Sequence, residues 1–99
     1  MPEMRFAVVW PDGTVESYYS PSLVVHDFFT VGDRLTPAEF VEKAGTAMDL
    51  ASERVRATFG VACTSAMATK EQIADAAARH GDGTVVVLRM APGLEGAPA

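Results

Sequence analysis

The sequence contains a single cysteine, Cys63, and this scarcity excludes several kinds of site. One cysteine cannot form an internal disulfide, and it supplies neither a CxxC motif nor a Cys/His cluster for structural zinc. Long apolar runs are also missing, since none reaches the roughly 20 residues that a membrane-spanning helix requires. The N-terminus has no basic flank followed by an apolar core, so we expect no secretory signal. These absences predict a cytoplasmic protein without a metal site or a membrane span.

Basic side chains are in the minority, with 8 Lys and Arg against 13 Asp and Glu and a formal net charge of −5. Nucleic-acid binding depends on a basic face that neutralises phosphates, so we expect no nucleic-acid partner. The sequence also lacks a glycine-rich phosphate loop and the HExxH and GxSxG motifs. It therefore predicts no catalytic residue and no cofactor.

The longest predicted element is a helix between Thr36 and Gly60. Thr36 is a good N-cap, Pro37 suits the first helical position, and Glu39 completes a capping box. Gly60 then ends the helix. Apolar residues at three- and four-residue spacing predict one buried stripe, formed by Phe40, Ala44, Ala47, Met48, Ala51, Val55 and Phe59.

Two strand-like runs, 4–10 and 14–20, flank a turn made of Pro11, Asp12 and Gly13. Proline presets one turn residue and glycine accepts a positive φ, so the segment predicts a β-hairpin. In the first run the larger apolar side chains alternate with smaller and polar ones, which predicts that the larger set faces the helix. Trp10 belongs to that set and is expected to anchor the core.

The rest of the chain predicts smaller elements. Residues 21–29 favour a short helix, although their valines and phenylalanines equally suit a strand, and residues 30–35 connect this segment to the long helix. A second helix is predicted over 70–80, capped by Thr69, and a third, very apolar strand over 84–90.

The order of these elements predicts an α+β fold with two layers, in which a small, mainly antiparallel, three-stranded sheet carries the helices on one face. Residues 1–91 are expected to form one domain and 92–99 a flexible tail. Three strands leave two edges, and a short chain has limited capacity to bury its aromatic side chains. We therefore expect a homodimer, formed through a sheet edge or an exposed aromatic cluster of Tyr18, Tyr19, Phe28 and Phe29.

Few residues are candidates for binding or chemistry. His26 and Asp27 are adjacent and could contact a partner, and Cys63 is either a nucleophile or a small buried apolar residue. Tyr18 and Tyr19 are candidates as members of the aromatic cluster. Polar residues at three- and four-residue spacing also share one face of the long helix, where they would bind a partner or lie in solvent: Asp49, Ser52, Glu53 and Arg56.

Several segments together resemble a family of small bacterial proteins labelled nitrogen-starvation response proteins. The resemblance extends from the N-terminus to about Met90, and it rests on MPEMRF at 1–6, WPDG at 10–13, YSPS at 19–22, ASERVR at 51–56, and Gly60 with Ala62 and Cys63. It implies that the gene lies in a cluster beside a nitrilase and that the protein acts in nitrogen or nitrile metabolism during starvation. It implies no reaction and supplies no catalytic residues.

Two functional hypotheses follow. The first is a non-enzymatic accessory or regulatory protein, which binds other proteins and acts beside the nitrilase-cluster enzymes. The alternative is a small enzyme or small-molecule-binding protein with a pocket between the sheet and the long helix. A concave pocket lined by converging polar residues would favour the alternative, and a flat apolar surface would favour the first hypothesis.

Overall fold

The computed structural model describes residues 3–60 and 64–91. Cys63 and the predicted tail, 92–99, lie outside these ranges. The described elements, in chain order, are β1 (Met4–Val9), β2 (Val15–Ser20), a 3-10 helix (Leu23–Asp27), β3 (Arg34–Leu35), α1 (Pro37–Phe59), α2 (Thr64–Arg79) and β4 (Val85–Ala91).

The hairpin of β1 and β2 is confirmed. The two strands are antiparallel, with Met4 opposite Ser20 and Val9 opposite Val15. Gly13 adopts a φ of 89°, and its N–H donates to the carbonyl of Trp10 at 2.8 Å. The positive φ that the sequence predicts for glycine in this turn is therefore present where the hairpin closes.

The sheet has four strands in the order β2-β1-β4-β3, and all neighbouring pairs are antiparallel. The prediction of three strands is wrong because β3 lies in the segment that we interpreted as a simple connection. Two residues are too few to show strand periodicity, and the pairing depends on distant hydrogen bonds. The N–H of Gly32 donates to the Val87 carbonyl at 2.8 Å, and the N–H of Val87 donates to the Asp33 carbonyl at 2.9 Å. The very apolar strand β4 is interior, as predicted.

Helix α1 is confirmed at both ends. Thr36 accepts a hydrogen bond from the Glu39 N–H and Glu39 accepts one from the Thr36 N–H, which completes the capping box. Gly60 ends the helix in the left-handed conformation, with a φ of 86°.

The apolar stripe of α1 is shorter than predicted. Phe40, Met48 and Ala51 have no solvent exposure, but Val55 is half-buried and Phe59 is 61% exposed. A helix of this length extends about 35 Å, whereas a six-residue strand spans about 20 Å. The last turns of α1 therefore extend beyond the layer that covers its first half.

Helix α2 begins earlier than predicted, at Thr64, and it ends at Arg79. Thr69 is not its cap, because it lies inside the helix and is 3% exposed. Its hydroxyl donates across the layer to the Tyr19 carbonyl at 2.7 Å. A threonine that satisfies a strand carbonyl carries the same sequence signature as a helix cap, which explains the error.

The segment after β2 is helical, as favoured, but it forms a 3-10 helix. Ser22 is its N-cap and accepts from the Val24 N–H at 3.2 Å. The segment packs on α1, where Arg54 donates to the Ser22 hydroxyl at 3.4 Å.

The core lies between one face of the sheet and the helices. Trp10 and Phe40 meet edge to face with ring centroids 5.5 Å apart, and Phe29 lies 5.3 Å from Phe40. Tyr18 is 4% exposed and Phe29 is 3% exposed, whereas Tyr19 and Phe28 are half-buried. The predicted exposed aromatic cluster is therefore wrong, because the core contains two of its four members. In the described part of the chain no helix is sufficiently long and apolar to cross a bilayer.

Candidate functional surfaces

The predicted polar face of α1 consists of separate ion pairs. Asp49 accepts from Lys70 of α2 at 2.9 Å, and Glu53 accepts from Arg56 at 3.2 Å. All four side chains are between 43% and 66% exposed. Exposed ion pairs of this kind contribute about 0 to 1 kcal/mol to the stability of the fold, so this face of α1 is a solvated helix surface. The Asp49–Lys70 pair links α1 to α2.

The other described candidates come from two separate elements. His26 is half-buried and Asp27 is exposed, and both lie at the end of the 3-10 helix. Tyr19 is at the sheet surface, where its hydroxyl donates to Glu3 at 3.0 Å. Cys63 lies outside the described residues, so its role stays a prediction. Within those residues no three His, Asp or Glu side chains are grouped closely enough to hold a metal ion.

The space between the sheet and α1 is occupied by apolar side chains. Phe6, Phe40 and Met48 are each 1% exposed or less. A ligand pocket at this position, as the alternative hypothesis requires, would displace part of the core. Two concave surfaces of the described residues lie elsewhere, one beside Arg5 and Tyr19 and the other between β2 and α2.

Sequence reasoning missed a contact among the side chains of Trp10, Tyr18 and His80. Trp10 Nε1 donates to the Tyr18 hydroxyl at 3.1 Å, and the His80 ring stacks on the Trp10 ring with centroids 5.2 Å apart and an interplanar angle of 17°. Burial raises the pKa of the Tyr18 hydroxyl, although its hydrogen bond from Trp10 opposes that shift. Trp10 and Tyr18 belong to the same hairpin, but His80 comes from the far end of the chain, so no local signal indicates the stacking on Trp10.

A groove runs beside this contact, between β2 and α2. Its volume is about 390 Å³. We call it the β2–α2 groove. Its lining consists of Glu16, Ser17, Tyr18, Gln72, Asp75, Ala76 and Arg79. The spacing of the α2 residues places them on one helix face, which a sequence search could have found but which resembles any solvated face.

The opposite face of the sheet carries no helix. Strand register gives this surface, which we call the open face, a row of neighbouring valines, because Val15 pairs with Val9 and Val9 pairs with Val86. A register shift between β1 and β4 makes Leu88 an extra, exposed residue beside the row. Val15 is 55% exposed and Leu88 is 43% exposed.

Basic side chains surround the valines on the open face. Arg5 pairs with Tyr19, Arg89 with Ala7, and Arg34 with Val86, so strand alternation directs all three arginines away from the core. None of the three forms an ion pair with a residue in 3–60 or 64–91. One carboxylate, that of Glu3, accepts from the Tyr19 hydroxyl near Arg5, so the open face carries a net positive charge in a protein whose formal net charge is −5.

A family model described as nitrogen starvation-induced protein NitG matches residues 5–90. This range contains both α-helices, the groove and most of the open face. It also contains every strand, except for the first residue of β1 and the last residue of β4. No curated protein and no solved structure matches the chain. The match covers most of the sequence, and the chain belongs to the family of nitrogen starvation-induced proteins NitG.

Proposed function

We propose that this protein is a non-enzymatic accessory or regulatory protein of the nitrogen-starvation response, which acts by binding another protein through its open face. The family supports the physiological setting. The observation that supports the mode of action is the uncovered sheet face, where the exposed side chains of Val15 and Leu88 lie beside the half-buried Val9 and Val86. Contiguous exposed apolar area of this kind marks interaction surfaces.

The charge of the open face specifies the partner. Arg5, Arg34 and Arg89 surround its apolar centre and have no ion-pair partner among the described residues. A second copy stacked face to face would oppose arginine to arginine, which is unfavourable. The partner is an acidic protein surface with an apolar centre. The resemblance to nitrilase-cluster proteins makes the other products of such a cluster the first to examine.

The test compares two leucines of nearly equal exposure. Leu88 on the open face is 43% exposed, and Leu50 on α1 is 42% exposed. We expect Leu88→Glu to weaken binding of an identified partner about tenfold or more, equivalent to about 1.4 kcal/mol. The substitution places a negative charge on the open face, where it would repel the acidic surface of the partner. Leu50→Glu should bind like the original protein.

The partner is captured from nitrogen-starved cells, identified, purified and titrated against each variant by calorimetry. Binding should weaken as the salt concentration rises, and Arg89→Glu should bind the partner more weakly than the original protein does. Equal affinity of the Leu50→Glu and Leu88→Glu variants would contradict the open face as the binding surface. Recovery of no specific partner would contradict the accessory function itself.

We also propose a homodimer, formed by antiparallel pairing of two β2 edges. The other edge strand, β3, has only two residues, whereas β2 has six and contains no proline. Such pairing would place two open faces side by side and leave both uncovered. Light scattering after size exclusion should give about twice the chain mass of 10.5 kDa, and a mass near 10.5 kDa would contradict the dimer.

A further inference from the structure

The floor of the β2–α2 groove contains a buried hydroxyl with an unused hydrogen-bond donor. Tyr18 is 4% exposed, and its hydroxyl oxygen accepts from Trp10 Nε1 at 3.1 Å. Among the described residues the Tyr18 O–H proton has no acceptor. The hydroxyl can still donate one hydrogen bond, so a ligand in the groove that offers an acceptor would give this donor a partner.

The walls of the groove carry unpaired charges of both signs. Glu16 lies on β2, and Asp75 and Arg79 lie on one face of α2. None of these three side chains forms an ion pair within residues 3–60 and 64–91. The charges of Glu16 and Arg79 both act on the pKa of the Tyr18 hydroxyl, the first raising it and the second lowering it. Both charged groups are therefore within electrostatic reach of the hydroxyl at the groove floor.

We propose that the β2–α2 groove binds a small zwitterion of the α-amino acid class. Its carboxylate would accept from Arg79 and from the Tyr18 hydroxyl, and its ammonium group would donate to Glu16 and Asp75. Gln72 offers an amide to the remainder of the molecule. The volume of about 390 Å³ lies within the range of about 300 to 1,000 Å³ that is typical of ligand sites.

The charge pattern discriminates against simpler ions. A monocarboxylate would leave Glu16 and Asp75 without a counterion, and an amine would leave Arg79 and the Tyr18 donor unmatched. A zwitterion pairs with the carboxylates and with the Arg79 and Tyr18 donors at the same time. This inference does not depend on the open face, which lies on the other side of the sheet.

The test is a titration of the protein with free L-α-amino acids, followed by amide chemical shifts in heteronuclear NMR. Acetate and methylammonium serve as probes for each end of the ligand alone. We expect at least one amino acid to shift signals of β2 and α2 with a dissociation constant of about 1 mM or lower. Either half-probe should bind at least about tenfold more weakly, a difference of about 1.4 kcal/mol.

Exposed residues supply variants that spare the core. Arg79→Gln and Asp75→Asn should each weaken binding about fivefold or more, a loss of about 1 kcal/mol, because each substitution removes a charged partner of the zwitterion. Glu71→Gln lies on α2 outside the groove lining and should have no effect. The open-face variant Leu88→Glu should retain amino-acid binding, so the two proposals fail separately.

Two results would overturn the proposal. One is the absence of shifts with every amino acid at about 10 mM, ten times the weakest expected dissociation constant. The other is equal binding of acetate and the best amino acid, which would show a site for a carboxylate alone.

Discussion

Replacing Phe40 by alanine is expected to lower the free energy of unfolding by about 3 to 5 kcal/mol. Phe40 has no solvent exposure, and its ring contacts Trp10 and Phe29 at centroid distances of 5.5 Å and 5.3 Å. Alanine would leave a cavity at the point where α1, β1 and the segment after the 3-10 helix meet. A domain of this size has a total stability of about 5 to 15 kcal/mol, so much of it would be lost.

Phe59→Ala is the matched control for this prediction. It removes the same ring from the same helix, but Phe59 is 61% exposed, so we expect a loss below about 0.5 kcal/mol. Val55→Ala should fall between the two, since Val55 is half-buried. Urea denaturation measures all three changes. A loss at Phe59 equal to that at Phe40 would show that the whole predicted stripe is buried, contrary to the structure.

Features determined by neighbouring residues could be predicted from the sequence. The capping box of Thr36 and Glu39, the end of α1 at Gly60, and the hairpin turn at Gly13 all depend on contacts within a few residues. Their hydrogen bonds can be inferred from spacing alone because the partners are fixed by local geometry.

Features determined by distant residues could not be predicted from the sequence. Strand β3 exists because Gly32 and Asp33 bond to Val87 more than fifty positions later. Thr69 lies inside α2, which begins at Thr64, and its hydroxyl donates to the Tyr19 carbonyl fifty positions earlier instead of capping the helix. Neither partner is visible in the local pattern, so tertiary contacts decided what the local signals left open.

The candidate surfaces show the same division. The sequence indicated alternation in β1 and therefore one uncovered side, but not that three arginines and a row of valines would share it. The groove was invisible because Tyr18 and Arg79 come from elements far apart in the chain. The polar face of α1 was visible, and the structure resolves it into exposed ion pairs.

Replacing Gly83 by alanine is expected to lower the free energy of unfolding by about 2 to 5 kcal/mol. Gly83 has a φ of 113°, which is unfavourable for an L side chain, and an added Cβ would lie 2.6 Å from the Pro11 Cβ. The left-handed backbone costs about 1 to 2 kcal/mol and the overlap about 1 to 3 kcal/mol. Gly81→Ala is the control, since its φ is not positive and no atom lies within 4 Å of its added Cβ. Thermal unfolding that responds equally to both substitutions would show that the contact between this turn and the β-hairpin turn does not constrain Gly83.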